Sequence, residues 1–126
     1  MRYMVLIAGE NTWAGLTEAE QAALYERIGS WWDEQAGQGR IVDGHELQGV
    51  ETATTVRRGG DGNVTVTDGP FVEAKELMGG WALINVKSLE EAVGWAKRFR
   101  DIVGEGTSEI CPVMFPEDFA AMQQGQ

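Results

Sequence analysis

The sequence predicts an α+β fold, an antiparallel sheet with two helices on one face, and three observations carry that expectation. Apolar runs of strand length occur at RYMVLIA (residues 2–8), MGGWALINV (residues 78–86) and TSEICPVMF (residues 107–115). Two longer segments have helical spacing and open on capping boxes, Thr17 with Glu20 and Ser88 with Glu91. Between them, TATTVRR (residues 52–58) and NVTVTD (residues 63–68) alternate with a period of two and flank the tight connection GGDG, as a hairpin does. With RIVDGHEL (residues 40–47) as a further strand, the order is strand, helix, strand, hairpin, strand, helix, strand. Without the hairpin this is βαββαβ, the ferredoxin-like arrangement; the expectation is therefore ferredoxin-like with an inserted hairpin.

Each element follows from its residues. The first run is short, apolar and partly β-branched, which suits a buried strand. The loop GENTWAGL follows, and its Trp13 is expected to cover neighbouring structure. In the first helix Leu24, Ile28, Trp31 and Gln35 share a face, widened by Ala23 and Trp32, and Gly37 and Gly39 supply the stop. Adjacent tryptophans point about 100° apart on a helix. One ring is thus expected on the sheet, and the other at an edge, open to a loop, a ligand or a second subunit. The second strand bends near Asp43-Gly44. MGGWALINV is the most continuously apolar strand and so a central one, and Gly79-Gly80 within it mark a close backbone approach or a bulge. Leu89, Ala92, Val93, Ala96, Phe99 and Val103 mark the buried face of the second helix, which Gly104 and Gly106 end. Pro112 puts the last strand at an edge or at a strand end. Residues 1–115 form one domain, and residues 116–126 are a tail that starts a short helix at Pro116 and frays.

The chain has 126 residues, of which 43% are apolar, enough for one domain with a real core. Ten Lys and Arg stand against 20 Asp and Glu, a formal net charge of −10. That sign argues against nucleic acid and against anionic membranes as partners. Cys111 is the single cysteine, so no intrachain disulfide forms, which fits a reducing cytoplasm. In the apolar run SEICPVMF it reads as a packed, inert thiol. The N-terminal apolar run is too short for a signal-peptide core, and no run reaches the roughly 20 residues of a membrane span. A soluble, cytoplasmic protein is expected. If both faces of the sheet are apolar, the two helices cover one and nothing in the chain remains for the other. A homodimer closed through its sheets is expected, with a pocket between them.

The stretch TDGPFVEAKELMGG (residues 67–80) holds the densest candidate chemistry. Turn chemistry alone explains its first half. Gly69 precedes a proline, Pro70 fixes its own φ, and Asp68 can accept a hydrogen bond from the main-chain N–H of Phe71, which can anchor in the core. Glu73, Lys75 and Glu76 then form a compact charged group. In an apolar pocket such a carboxylate serves as a general base; in solvent it is a turn with a weak ion pair. His45 is the only histidine and lies beside Asp43 and Glu46. Within hydrogen-bond reach of Asp68 it would complete an acid–base dyad. One His and one Cys cannot build a zinc site of the usual type, and no nucleotide-binding or nucleophile-elbow signature is present, so neither metal nor cofactor is expected.

YMVLI, ATTVR, TDGPFVEAKELMGGW and SEICPV together resemble the DGPF family of the YCII-related superfamily, over about residues 2–115. The pattern DGPF-x-E-x-K-E-x-x-GG, with Glu73, Lys75, Glu76, Gly79 and Gly80 at matching positions, makes the resemblance specific. It implies a dimeric α+β barrel, in which ferredoxin-like protomers pair through their sheets. Relatives in the superfamily carry a His–Asp pair suggested as an active site, and one branch dehalogenates a chlorinated aromatic. Asp68 is the matching acid here. Genes of DGPF proteins often lie beside those of extracytoplasmic-function sigma factors. The first expectation is a cofactor-free enzyme acting on a small organic molecule. Asp68 is its acid or base, His45 or Glu73 and Lys75 assist, and Trp81 lines the pocket. The alternative is a ligand-binding or regulatory module, with a sigma factor as a partner. A third reading keeps the motif purely structural.

Overall fold

A computed structural model describes residues 1–9, 15–48, 52–69 and 77–124. In chain order the elements are β1 (Arg2–Gly9), α1 (Glu18–Gly37), β2 (Ile41–Glu46), β3 (Thr54–Arg58), β4 (Val64–Asp68), β5 (Leu77–Asn85), α2 (Leu89–Val103), β6 (Thr107–Pro112) and α3 (Pro116–Gln124). Four strands form an antiparallel sheet in the order β2-β5-β1-β6. β3 and β4 make a separate two-stranded antiparallel hairpin. The α+β architecture is consistent with a ferredoxin-like fold carrying an extra hairpin. β5 is central and the proline-bearing β6 is an edge, as their compositions predict. Trp13 lies outside the described residues.

Both helices begin where their caps predict. The Thr17 hydroxyl accepts from the Glu20 N–H at 3.1 Å, and the Ser88 hydroxyl from the Glu91 N–H at 3.2 Å, each satisfying an N–H that the helix itself leaves unpaired. Glu91 also reaches back to accept from the Lys87 N–H at 3.2 Å. Gly39, at φ +77°, turns the chain out of α1 in a conformation that other residues rarely adopt.

The core lies between the helices and one face of the sheet. Tyr3 and Val5 of β1 and Ala82 and Ile84 of β5 point toward the helices, where Ala92, Trp95, Ala96 and Phe99 of α2 meet them. Trp95 is fully buried. Its ring stacks on Phe99 at a centroid distance of 6.0 Å and meets Trp31 of α1 at 5.0 Å. The buried stripe of α2 therefore differs from the expected one. Leu89 and Val93 are exposed, and Trp95 takes the centre, because its large ring fills the gap between α1 and the sheet. The two adjacent tryptophans also depart from expectation. Both join this aromatic cluster: Trp32 meets Trp95 edge-on at 6.4 Å and its ring lies over Gly44. Trp95 is large enough for two residues 100° apart to reach it from the same helix.

Arg100 fastens the far end of α2. Its guanidinium donates to the Ser108 hydroxyl at 2.9 Å, the Thr107 carbonyl at 2.9 Å and the Ala8 carbonyl at 3.3 Å, linking α2 to β6 and β1. Cys111 is exposed on the edge strand β6, and so is not the packed thiol its apolar neighbours suggested. Arg2 lies over the Phe115 ring at 4.3 Å, just before α3. No described helix is long and apolar enough to cross a membrane.

Truncating the ring at the centre of this core tests the packing. Trp95→Ala is expected to lower stability by about 3–5 kcal/mol in urea unfolding. The exposed Leu89→Ala should change it by less than about 0.5 kcal/mol. Equal effects would contradict the assigned burial.

Candidate functional site

Side chains alternate across a strand, so the face of the sheet away from the helices is read directly from the register. Met4 and Leu6 of β1 lie opposite Leu83 and Trp81 of β5, and all four are half-buried. On the other side of β1, Met4 faces Cys111 and Leu6 faces Glu109. The outer face is thus an apolar strip along two central strands, with polar groups on the edge strands.

β2 contributes the chemistry, and a bulge puts it there. Ile41 pairs with Ile84 on the core face, yet Asp43 pairs with Leu83 on the outer face. Without a register shift, residues 41, 43 and 45 would all point the same way. Val42 is the extra residue, exposed, and it re-aims everything after it. Asp43 and His45 consequently project from the outer face, and Gly44 between them turns toward the helices. There a Cβ would stand 2.5 Å from the Trp32 ring and 2.8 Å from the Trp81 carbonyl, so glycine is required by space. Gly79 is a matching extra residue in β5, where the register shifts opposite Ile7 and Ala8. Gly80 permits the close approach of the His45 carbonyl, 2.9 Å from where its Cβ would sit.

On this edge His45 Nε2 stands 3.4 Å from Asp43 Oδ1, with the two side chains 70% and 59% exposed. The imidazole meets Trp81 edge-on, with centroids 5.7 Å apart and an interplanar angle of 64°. Asp43 Oδ1 also accepts from the Gly44 N–H at 2.8 Å, which holds the carboxylate beside one ring nitrogen and leaves the other for a substrate proton. The indole beside it offers a flat apolar surface for a ring or a short carbon chain.

The other sequence-predicted residues are placed as follows. Asp68 ends β4, exposed, opposite Thr54. Its side chain makes no hydrogen bond or ion pair with another described residue. His45 and Asp68 are not joined: among the described residues the carboxylate beside His45 is that of Asp43. Gly69 has φ +101°; its N–H donates to the Ala53 carbonyl at 2.7 Å and its carbonyl accepts from the Thr55 hydroxyl at 2.7 Å, closing the base of the hairpin. Pro70, Phe71, Glu73, Lys75 and Glu76 lie outside the described residues. Trp81 faces the outer side, beside His45. Asp43 is the residue whose role sequence reasoning did not assign; its signal was the Asp-x-His spacing within a strand. Among the described residues no group of three or more His, Cys, Asp or Glu gathers where it could hold a metal ion.

One further contact braces the end of β2. The Tyr25 hydroxyl on α1 lies 3.2 Å from each carboxylate oxygen of Glu46 and donates to it. Burial, then the Glu46 charge, then this hydrogen bond hold the phenol above its ordinary range.

Residues 1–115 match the family model of the YCII-related domain. No curated protein matches the chain.

Tyr25 sets an alkaline test. Its folded form keeps the proton at a pH where the unfolded chain has released it, so its contribution is full below about pH 10 and is lost as pH rises through the raised value. Glu46→Gln should bring the Tyr25 transition, followed by phenolate absorbance, down toward the ordinary range. An unmoved transition would contradict the contribution of Glu46.

Proposed function

Because the chain belongs to the YCII-related domain family, we propose that it is an enzyme of the DGPF branch that moves a proton on a small organic molecule without a cofactor. The substrate lies on the outer face of the sheet. A second copy of the chain covers that face, sheet to sheet, and closes the pocket. His45 takes and returns the proton, Asp43 orients its imidazole, and Trp81 and Leu83 form the apolar floor.

The observation that carries this reading is the Asp43–His45 pair set against Trp81 at the border of an apolar strip. A polar pair beside apolar ground is the usual composition of a small-molecule site. Covering the face with a second copy would exclude water and strengthen the interaction of Asp43 with the imidazole. The half-buried Met4, Leu6, Trp81 and Leu83 supply a reason for that cover, since these side chains gain from further burial.

The reading predicts a graded loss. A panel of small carbonyl and aromatic compounds is incubated in heavy water and proton exchange is followed by NMR. His45→Gln should lower exchange on the best substrate at least about 100-fold, the low end for a general acid or base. Asp43→Asn should lower it less. Both side chains are exposed, so melting temperatures should hold. Unchanged exchange in His45→Gln would reject the proposal, and a loss confined to Asp68→Asn would move the acid to the DGPF motif.

A further inference from the structure

The β3–β4 hairpin has a two-faced pattern with no core beneath it among the described residues. Its register pairs Thr54 with Asp68, Val56 with Val66 and Arg58 with Val64, so these six side chains share one face. Thr55, Arg57, Thr65 and Thr67 occupy the other. The valines of the first face are the exposed ones: Val56 is 64%, Val64 59% and Val66 67% exposed. A hairpin of two strands is marginal in water by itself and needs a further surface against its apolar face. All three valines stay more than half exposed, so no described residue supplies it.

We propose that this face binds the same face of a second copy of the chain. The charges identify the occupant. Arg58 stands at the turn end of the face on β3, and Asp68 at the base end on β4, with the Val56–Val66 pair midway between them. A two-fold axis lying between two such faces, across their strands, reverses the ends. It sets valine on valine at the centre, and brings each Arg58 to the end of the partner face that carries Asp68. The result is an apolar centre with a charged rim, made twice by one operation, as an isologous contact requires. Neither charge has an ion-pair partner among the described residues. They cannot pair within one hairpin, since four residues of strand hold them about 13 Å apart along its length. A partner of another kind would need a positive group at one fixed corner and a negative group at the other; a second copy has them by construction. The three valines make a small patch, so the contact is a weak one by itself or part of a larger interface between the same two copies.

Charge reversal tests this in the full-length chain. Sedimentation equilibrium is run over a range of concentrations for the wild type, Arg58→Asp, Asp68→Arg and the double swap. Each single reversal should weaken self-association about tenfold or more, and the double swap should return it to within about threefold of the wild type. The two single changes move net charge in opposite directions, so weakening by both excludes a bulk charge effect. Val56→Thr with Val66→Thr keeps the β-branched shape of the strands and should weaken association as well. A wild type that stays monomeric throughout, single reversals without effect, or a double swap no tighter than the singles would overturn the proposal. The swap changes hairpin residues only, so loss in the singles with rescue in the double reports the hairpin and not the sheet-face contact proposed above. A Leu83→Lys variant reads that contact separately.

Discussion

A sheet has two faces, and α1 and α2 pack on one of them. Most of the architecture follows from that constraint. The covered side takes the large rings, with Trp95 between α1 and the sheet and Trp31, Trp32 and Phe99 against it. The small residues Ala82, Ala92 and Ala96 give those rings room. The uncovered side keeps Met4, Leu6, Trp81 and Leu83, apolar but only half-buried. A surface of that kind on central strands is a place for a ligand, a partner, or both.

The Val42 bulge links this constraint to chemistry. A strand that ran on without it would drive Asp43 and His45 into the aromatic core, where a charged pair would lose hydration and find few partners. One inserted residue turns both toward the open face and brings Gly44 inward under Trp32. Packing and site placement are thus two outcomes of the same irregularity. Gly44→Ala would be felt by both, since the added methyl would collide with the Trp32 ring that holds α1 to β2.

Much of the fold was legible because it depends on local rules. Thr17, Ser88 and Gly39 mark helix ends by their own hydrogen bonds and dihedral freedom, and Gly79 and Pro112 mark a bulge and an edge. What spacing could not reveal was the outcome of competition for space. Leu89 and Val93 satisfy the helical period but yield to Trp95, whose ring size decides the orientation of α2. Cys111 sits among apolar neighbours yet is exposed, because its strand is an edge and its side chain is on the uncovered face. At the site, His45 and Trp81 were legible as candidates. The role of Asp43 was not, because period-two reasoning has no way to detect which residue a bulge inserts. The motif that dominates the sequence, from Pro70 to Glu76, lies outside the described residues, and Asp68 at its threshold has no side-chain partner among the rest.

Closure of the outer face by a second copy of the chain, with His45 at its border, is open to measurement. Isotope-filtered NMR on an equal mixture of labelled and unlabelled protein reads contacts between copies alone. Sheet-to-sheet closure should give intermolecular contacts from the Met4 methyl and the Leu6 and Leu83 methyls to Trp81 and to one another. Intermolecular contacts that exclude these residues, or none at the highest concentration reached, would exclude it.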